Sequence, residues 1–169
     1  AVMHLLYSRF FTKVLADHEG LDHREPFSNL LAQGMVQLEG EKMSKSKGNV
    51  VSPQRIVEEY GADAARLFMM SAAQPERDFD WSAEGVESSH EFLRGLHDLV
   101  AERPDGSGGG TDPVDEYVAR EIDATVTAAT AEYDDLTFNR ALRETRSLVS
   151  LLRRYQHRDP ETFERGLRV

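Results

Sequence analysis

Three of the chain's four lysines, Lys42, Lys45 and Lys47, lie within six positions of an otherwise acidic sequence. A lysine is a compact charge on a long stem, which suits phosphate oxygens that gain negative charge as pyrophosphate leaves. Gly48 permits a tight turn, and Ser44 can hydrogen-bond locally to hold the loop's shape. We therefore predict a phosphate-neutralising loop here, whereas an arbitrary basic cluster is more often a solvated surface loop.

The overall charge is opposite in sign to this cluster. The chain has 20 Lys and Arg against 30 Asp and Glu, a net charge of −10 and a pI near 5.0. Such a surface argues against nucleic-acid binding by the whole protein. Few lysines and many carboxylates are typical of molar salt, where screening acts over about 3 Å. We predict a halophilic protein, and an ordinary acidic domain is the alternative.

Length and residue types limit the fold and compartment further. The 169 residues can form one domain with a core or two small ones. The absence of cysteine excludes disulfides and fits a reducing cytoplasm. No apolar run approaches the roughly 20 residues of a membrane span, and the first residues lack a signal peptide's basic region. We expect a cytoplasmic protein without a membrane segment.

The first half of the sequence predicts a helix, a strand and a helical unit around the lysine loop. Helical spacing covers residues 2–16, and a short strand covers residues 34–38. Ser52 and Pro53 are typical of a helix start, and Gly61 of its end. Residues 75–81 read as irregular. A helix from near Asp63 and a long helix capped by Ser82 complete this half. The residues of these three helices that we predict to face inward are Ile56, Val57, Tyr60, Ala64, Leu67, Phe68, Met70, Val86, Leu93, Leu96 and Val100.

The second half follows a glycine-rich connector over residues 103–113. Two helices, one opened by Asp112 and Pro113 and the next following Asp135, form a predicted hairpin with only half a core. Asp159 opens a third helix, within which the sequence stops, so we expect a cut piece. The predicted apolar faces comprise Val118, Ile122, Ala129, Tyr133, Phe138, Leu142, Leu148, Leu151, Leu152 and Tyr155.

The lysine run resembles a known signature. Lys42 to Ser46 reads Lys-Met-Ser-Lys-Ser, as in the KMSKS loop of class I aminoacyl-tRNA synthetases. The flanks are similar to the leucyl members of that class over most of the chain. They are the runs Met-His-Leu-Leu-Tyr-Ser-Arg-Phe-Phe from Met3, Gln-Gly-Met-Val from Gln33, Tyr-Gly-Ala-Asp from Tyr60, Arg-Leu-Phe-Met-Met from Arg66, Asp-Trp-Ser from Asp80 and Leu-Thr-Phe-Asn-Arg-Ala from Leu136.

The resemblance implies a mostly α-helical fold that keeps a remnant of a Rossmann-type α/β catalytic domain. Residues 1–50 correspond to the end of that domain with its KMSKS loop, and residues 51–101 to a helical stem-contact region. Residues 102–113 are the linker, and residues 114–169 begin a helical bundle of the anticodon-binding type.

The resemblance also implies site residues and ligands. Lys45, assisted by Lys42, would stabilise the transition state at the ATP phosphates, with Mg²⁺ sharing the charge. Met43, Ser44 and Ser46 complete that loop. The other implied contacts are Met35 and Val36 with adenine, where plain strand packing is the alternative, and His4 with leucine, where an ordinary helix-face histidine is the alternative.

The implied enzyme is a leucine–tRNA ligase that uses ATP, leucine and tRNA-Leu. The second class I signature, of the His-x-Gly-His type, is missing, so we expect no activity from this piece alone, and the remainder of the synthetase to be required. A stand-alone tRNA-binding accessory module is the alternative, and an enzyme for another small apolar amino acid is a third reading. The accessory reading relies on Arg140, Arg143, Arg146, Arg153, Arg154 and Arg158, which can equally pair with carboxylates such as Glu144.

Overall fold

The computed structural model describes residues 2–103, 112–155 and 159–169. Within these ranges the chain is mostly helical with one small sheet, as predicted. The elements are α1 (Val2–His18), β1 (Val36–Leu38), β2 (Glu41–Lys42), α2 (Pro53–Tyr60), α3 (Ala62–Ala72), β3 (Phe79–Asp80), α4 (Ala83–Ala101), α5 (Pro113–Asp134), α6 (Phe138–Tyr155) and α7 (Pro160–Arg168). None of the described helices is long and apolar enough to cross a bilayer.

The chain divides into two compact units, Ala1–Gln33 and Gly34–Val169. In the first unit, α1 confirms the helix predicted from residues 2–16, but no residue of α1 is buried. Phe10, for example, is 60% exposed although its spacing places it on the apolar stripe. The segment after α1 folds back, and the Arg9 guanidinium meets the Glu25 carboxylate at 2.7 Å.

The second unit contains a three-stranded sheet in the order β2-β1-β3. β1 and β2 form an antiparallel hairpin, whose two-residue turn has positive φ at Glu39 (54°) and Gly40 (75°). Such angles match the twist of paired strands in a tight hairpin. β3 runs parallel to β1, so the prediction that residues 75–81 are irregular was wrong for Phe79 and Asp80 and right for residues 75–78. Because β3 pairs with a strand more than 40 residues away in the sequence, no local pattern predicts this strand.

The core of the second unit lies between helices from both sides of the glycine-rich stretch. Leu99 of α4, Ile122 of α5 and Leu152 of α6 pack in one buried cluster with Phe163 of α7. The expectation of a hairpin with half a core was therefore wrong, because α4 and α7 supply the missing side. The domain boundaries remain a prediction, and residues 104–111 of the connector lie outside the described chain.

Four predicted inward residues face solvent instead. Val57 is 43% exposed, Met70 39%, Val100 40% and Tyr133 53%. Leu99 takes the place predicted for Val100 at the end of α4, whereas Val86 is buried and Leu96 packs against the core, as predicted. Helical period alone does not say which of two adjacent apolar residues faces the neighbouring helix.

Candidate functional site

The β1–β2 hairpin determines where the lysine loop begins. Gln37 pairs with Lys42, so the chain turns back and leaves β2 beside the amino end of β1. The prediction that Met35 and Val36 end the strand was wrong, because β1 starts at Val36. This return nevertheless places these two residues next to the start of the loop. Chain continuity and strand pairing thus bring all seven loop and adenine candidates together.

The side chain of Asn49 closes the loop. Its Oδ1 accepts a hydrogen bond from the Ser44 N–H at 2.8 Å, and its Nδ2 donates to the Lys42 carbonyl at 3.2 Å. One amide therefore holds the backbone on both sides of Met43. Asn49 itself is partly buried, so these bonds are partly shielded from water.

The tip of the loop is a pair of turns. The Lys47 N–H donates to the Ser44 carbonyl at 3.1 Å, and the Gly48 N–H donates to the Lys45 carbonyl at 3.3 Å. The Ser44 and Ser46 hydroxyls lie 2.8 Å apart and share a hydrogen bond. Gly48 has φ +72°, a left-handed conformation that favours glycine. The bond of the Ser44 hydroxyl and the positive φ of Gly48 agree with the local hydrogen bonding and tight turn expected there.

The three lysines of the loop have different surroundings. The Lys47 ammonium lies 2.8 Å from the Glu41 carboxylate, and both side chains are exposed. Lys42 and Lys45 are exposed and, within the described ranges, have no carboxylate within 4 Å. Two cations are therefore free to meet an anionic ligand, and the third is neutralised by its neighbour.

The strand β3 holds the other side of β1. The Met35 N–H donates to the Asp78 carboxylate at 2.7 Å, and the Met35 carbonyl accepts from the Phe79 N–H at 3.2 Å. The Gln37 carbonyl accepts from the Trp81 N–H at 2.8 Å. The N–H of Met35 is thus already occupied, and only the spare lone pair of its carbonyl is available to a ligand.

An apolar cavity of about 330 Å³ lies beside the loop. The side chains of Met43 and Val51, before and after the loop tip, line it together with Val36 and Trp81. The helix α2 closes the cavity with Ile56 among others. Ser52 is the N-cap residue of α2, as predicted, but its side chain makes no cap hydrogen bond.

His4 lies on α1 in the first unit and is exposed. Its carbonyl accepts a hydrogen bond from the Ser8 hydroxyl at 2.8 Å, an ordinary contact one turn along the helix. His4 therefore belongs to the first unit, whereas the lysine loop with Met35 and Val36 belongs to the second.

Three of the arginines of α6 that could have followed a phosphate backbone contact groups of the protein itself. Arg143 lies 3.2 Å from the Glu144 carboxylate, and Arg140 lies 3.9 Å from Glu132. The Arg146 guanidinium stacks 4.5 Å from the centre of the Phe92 ring. This pattern supports the reading in which the arginines pair with nearby groups. Arg158 lies outside the described residues.

Sequence reasoning missed Asn49, Asp78 and Asp80 as residues that shape the site. Asp80 accepts a hydrogen bond from the Gly40 N–H at 2.7 Å, across 40 positions of sequence. Asn49 carried a usable signal, because asparagine side chains often bond to backbone a few residues away. Asp80 carried none beyond its place in a family motif, and Asp78 carried none. In the described ranges, no group of three His, Asp or Glu side chains has the arrangement of a metal site.

Comparisons with known proteins agree with the resemblance. The family described as tRNA synthetases class I (I, L, M and V) matches residues 7–82. A leucine–tRNA ligase of Halobacterium salinarum is 57% identical over 173 residues, which cover 99% of this chain and 20% of the relative. One of Geotalea uraniireducens is 45% identical over 164 residues, covering 92% of this chain and 20% of the relative. The prediction of a halophilic protein fits the first organism.

A solved structure shares the fold. In the crystal structure of the ternary complex LeuRS-tRNA-LeuAMS, the agnB2 LeuRS of Agrobacterium radiobacter superimposes with a TM-score of 0.83 at 30% identity. The match covers 97% of this chain and 23% of that chain. The chain thus spans about a fifth of the length of the curated relatives it matches.

Proposed function

We propose that this chain, which belongs to the leucine–tRNA ligases among the class I tRNA synthetases, supplies the triphosphate-neutralising loop of such an enzyme. The whole enzyme would activate leucine with ATP and transfer it to tRNA-Leu. In activation, the leucine carboxylate attacks the α-phosphorus of ATP, and pyrophosphate leaves from it. Negative charge then grows on the oxygens of the leaving group.

Lys45 and Lys42 would neutralise this growing charge. A cation accelerates the step only if it binds the transition state more strongly than the ground state. The exposed ammonium groups on a hydrogen-bonded loop would do so by closing over the leaving pyrophosphate. Mg²⁺ would enter with ATP as part of the substrate and share the charge.

The contrast among the three lysines carries this proposal. Lys47 is paired with Glu41 at 2.8 Å, whereas Lys42 and Lys45 have no carboxylate partner among the described residues. If the segment were only a solvated surface loop, nothing would explain why Lys42 and Lys45 lack a carboxylate partner in a chain with ten more acidic than basic side chains. A loop that receives a phosphate anion requires unpaired cations at its contact positions.

The remaining ligand contacts are assigned by position. Val36 and Met35 lie beside the start of the loop through the hairpin register, where adenine contacts would complete an ATP site. Because the Met35 N–H is bonded to Asp78, we assign an adenine hydrogen bond to Val36 or to the Met35 carbonyl. Ser46 and Met43 would shape the loop around the phosphates. His4 on α1 is the proposed leucine contact, and its exposed ring is available to other parts of the enzyme.

The experiment measures leucine-dependent exchange of pyrophosphate into ATP, and charging of tRNA, by a full-length ligase that carries this segment. We expect leucine to support exchange far better than isoleucine or valine. We expect none from the 169-residue chain alone, because one lysine loop cannot hold ATP in line for attack. Absence of leucine-dependent exchange in the full-length protein would overturn the proposed function, and exchange by the isolated chain would overturn the expected need for the rest of the enzyme.

A further inference from the structure

We propose that Asn49 is a positioning residue for leucine activation, whose side-chain amide fixes the backbone around Met43 and thereby sets where Lys42 and Lys45 meet the triphosphate. The inference rests on the proposed function, and it adds to it a residue outside the five-residue signature. It follows from the two hydrogen bonds that the amide makes at the base of the loop.

The bonds act at two different points of the chain. The Lys42 carbonyl, bonded at 3.2 Å, marks the end of β2, and the Ser44 N–H, bonded at 2.8 Å, marks the start of the tip. Between them lies Met43, whose side chain lines the apolar cavity. Amide and cavity together fix the exit from the sheet, while residues 45–48 project as hydrogen-bonded turns. Lys42 and Lys45 thus extend exposed side chains from a backbone that is held by hydrogen bonds.

Asparagine is chemically suited to this position. The two bonds require one acceptor and one donor on the same short side chain, and a side-chain amide provides both. Aspartate keeps the acceptor for Ser44 but cannot donate to the Lys42 carbonyl when ionised. It would also place a carboxylate at the base of the loop, where it competes with the phosphates for the lysines. Alanine removes both bonds.

The test compares Asn49→Ala and Asn49→Asp with two reference variants in the full-length ligase. Gln54→Ala is the matched control, because this amide bonds only to Glu58 on the exposed side of α2. Lys45→Ala is the positive control for the proposed function. For each variant, kcat and KM of leucine activation and the melting temperature are measured.

We expect both Asn49 variants to lower kcat by about tenfold, as the loss of about 1.4 kcal/mol of loop ordering implies, with KM for leucine nearly unchanged. The melting temperature should match that of Gln54→Ala. If Lys45→Ala is slow while the Asn49 variants keep normal kcat, the role of Asn49 is overturned and the proposed function stands. If Lys45→Ala also keeps normal kcat, the proposed function itself fails.

A second measurement does not depend on catalysis. Nitrogen-15 relaxation of the 169-residue chain reports how rigid each backbone N–H is on the fast timescale. Asn49→Ala should lower the order of the amides at 44–47, whereas Gln54→Ala should leave them unchanged. Equal order in all three proteins would show that the amide does not hold the loop, and would overturn the proposal.

Discussion

The carboxylate of Asp80 accepts a hydrogen bond from the backbone N–H of Gly40 at 2.7 Å. Asp80 ends β3, and Gly40 is the second residue of the β1–β2 turn, so a residue 40 positions away holds the turn that leads into the lysine loop. The turn has positive φ at Glu39, which is unfavourable for a residue other than glycine. The bond from Asp80 therefore stabilises a conformation that the local sequence alone does not favour.

Replacing Asp80 with alanine should loosen this turn. We expect the free energy of unfolding of the second unit to fall by about 1 kcal/mol, the usual net value of one such bond. Asp80→Asn should cost less, because the amide oxygen can still accept. Urea unfolding of the 169-residue chain measures both. Asp22→Ala is the control, since Asp22 is exposed and has no side-chain bond among the described residues; equal losses at both positions would contradict the role of Asp80.

Gly34 precedes β1 and lies against the backbone of Arg77. A Cβ added at Gly34 would be 2.2 Å from the Arg77 carbonyl carbon and oxygen, which are backbone atoms and cannot rotate away. We expect Gly34→Ala to destabilise the chain by about 1–3 kcal/mol, as overpacking does. Urea unfolding provides the measurement.

Gly95→Ala is the matched control for that substitution. The Cβ added there meets only the guanidinium of Arg153, the movable end of a long side chain. Alanine is also favoured over glycine within a helix by roughly 1 kcal/mol. Gly95→Ala should therefore be neutral or stabilising. A stable Gly34→Ala protein, or a similar loss in both variants, would show that the close approach at Arg77 is not restrictive.

Tyr155 joins two helix starts in the core of the second unit. Its buried hydroxyl donates to Asp115 at 2.6 Å and accepts from the Asp159 N–H at 3.3 Å. Burial, and next the bond to Asp115, raise the pKa of Tyr155 to about 12. The folded state thus keeps a proton that the unfolded chain releases near pH 10, so this stabilisation is complete below about pH 10 and is lost as pH rises towards 12.

The corresponding variant is Tyr155→Phe. We expect it to lower the free energy of unfolding at neutral pH by about 1–3 kcal/mol, because Oδ1 of the buried Asp115 loses its donor. The fall in stability between pH 10 and pH 12 should be shallower than in the unmodified chain. Tyr117→Phe, at a 53% exposed position of α5, is the control. Identical alkaline slopes for Tyr155→Phe and the unmodified chain would contradict the assignment.

Salt should stabilise the chain. At a net charge of −10, repulsion between carboxylates opposes folding, and ions screen it. Exposed ion pairs such as Arg9–Glu25 weaken in salt, but each contributes little. We expect the melting temperature, followed by circular dichroism, to rise between about 0.1 M and about 1 M KCl. A flat or falling curve would mark an ordinary acidic protein.

The sequence predicted helices better than strands and packing. Helix starts at Ser82, Asp112 and Asp159 were found because a cap and the helical period are local signals, and all three side chains accept a hydrogen bond from the first turn. The pairing of β3 with β1 and the burial of Leu99 depend on residues distant in sequence. Local sequence patterns therefore do not predict such contacts.

The candidate site shows the same division. The lysine cluster was recognised from its spacing, and the role proposed for it comes from the resemblance to the family signature. Which lysine is neutralised could not be predicted, because Lys47 and Glu41 meet only through the hairpin and the turns of the loop. The hydrogen bonds by which Asp80 holds the turn and Asn49 holds the loop depend on the same folded geometry.

The central claim is that unpaired lysines of the loop neutralise the breaking triphosphate. Its most direct test compares Lys45→Ala with Lys47→Ala in the full-length protein that carries this segment, measuring the rate at which the proposed leucyl adenylate forms in a single turnover. We expect Lys45→Ala to slow this step by about 100-fold, as the loss of one charge-stabilising donor does. Lys47→Ala should slow it by less than about fivefold, since it removes only an exposed ion pair. Equal losses in the two variants, or a normal rate in Lys45→Ala, would contradict the account.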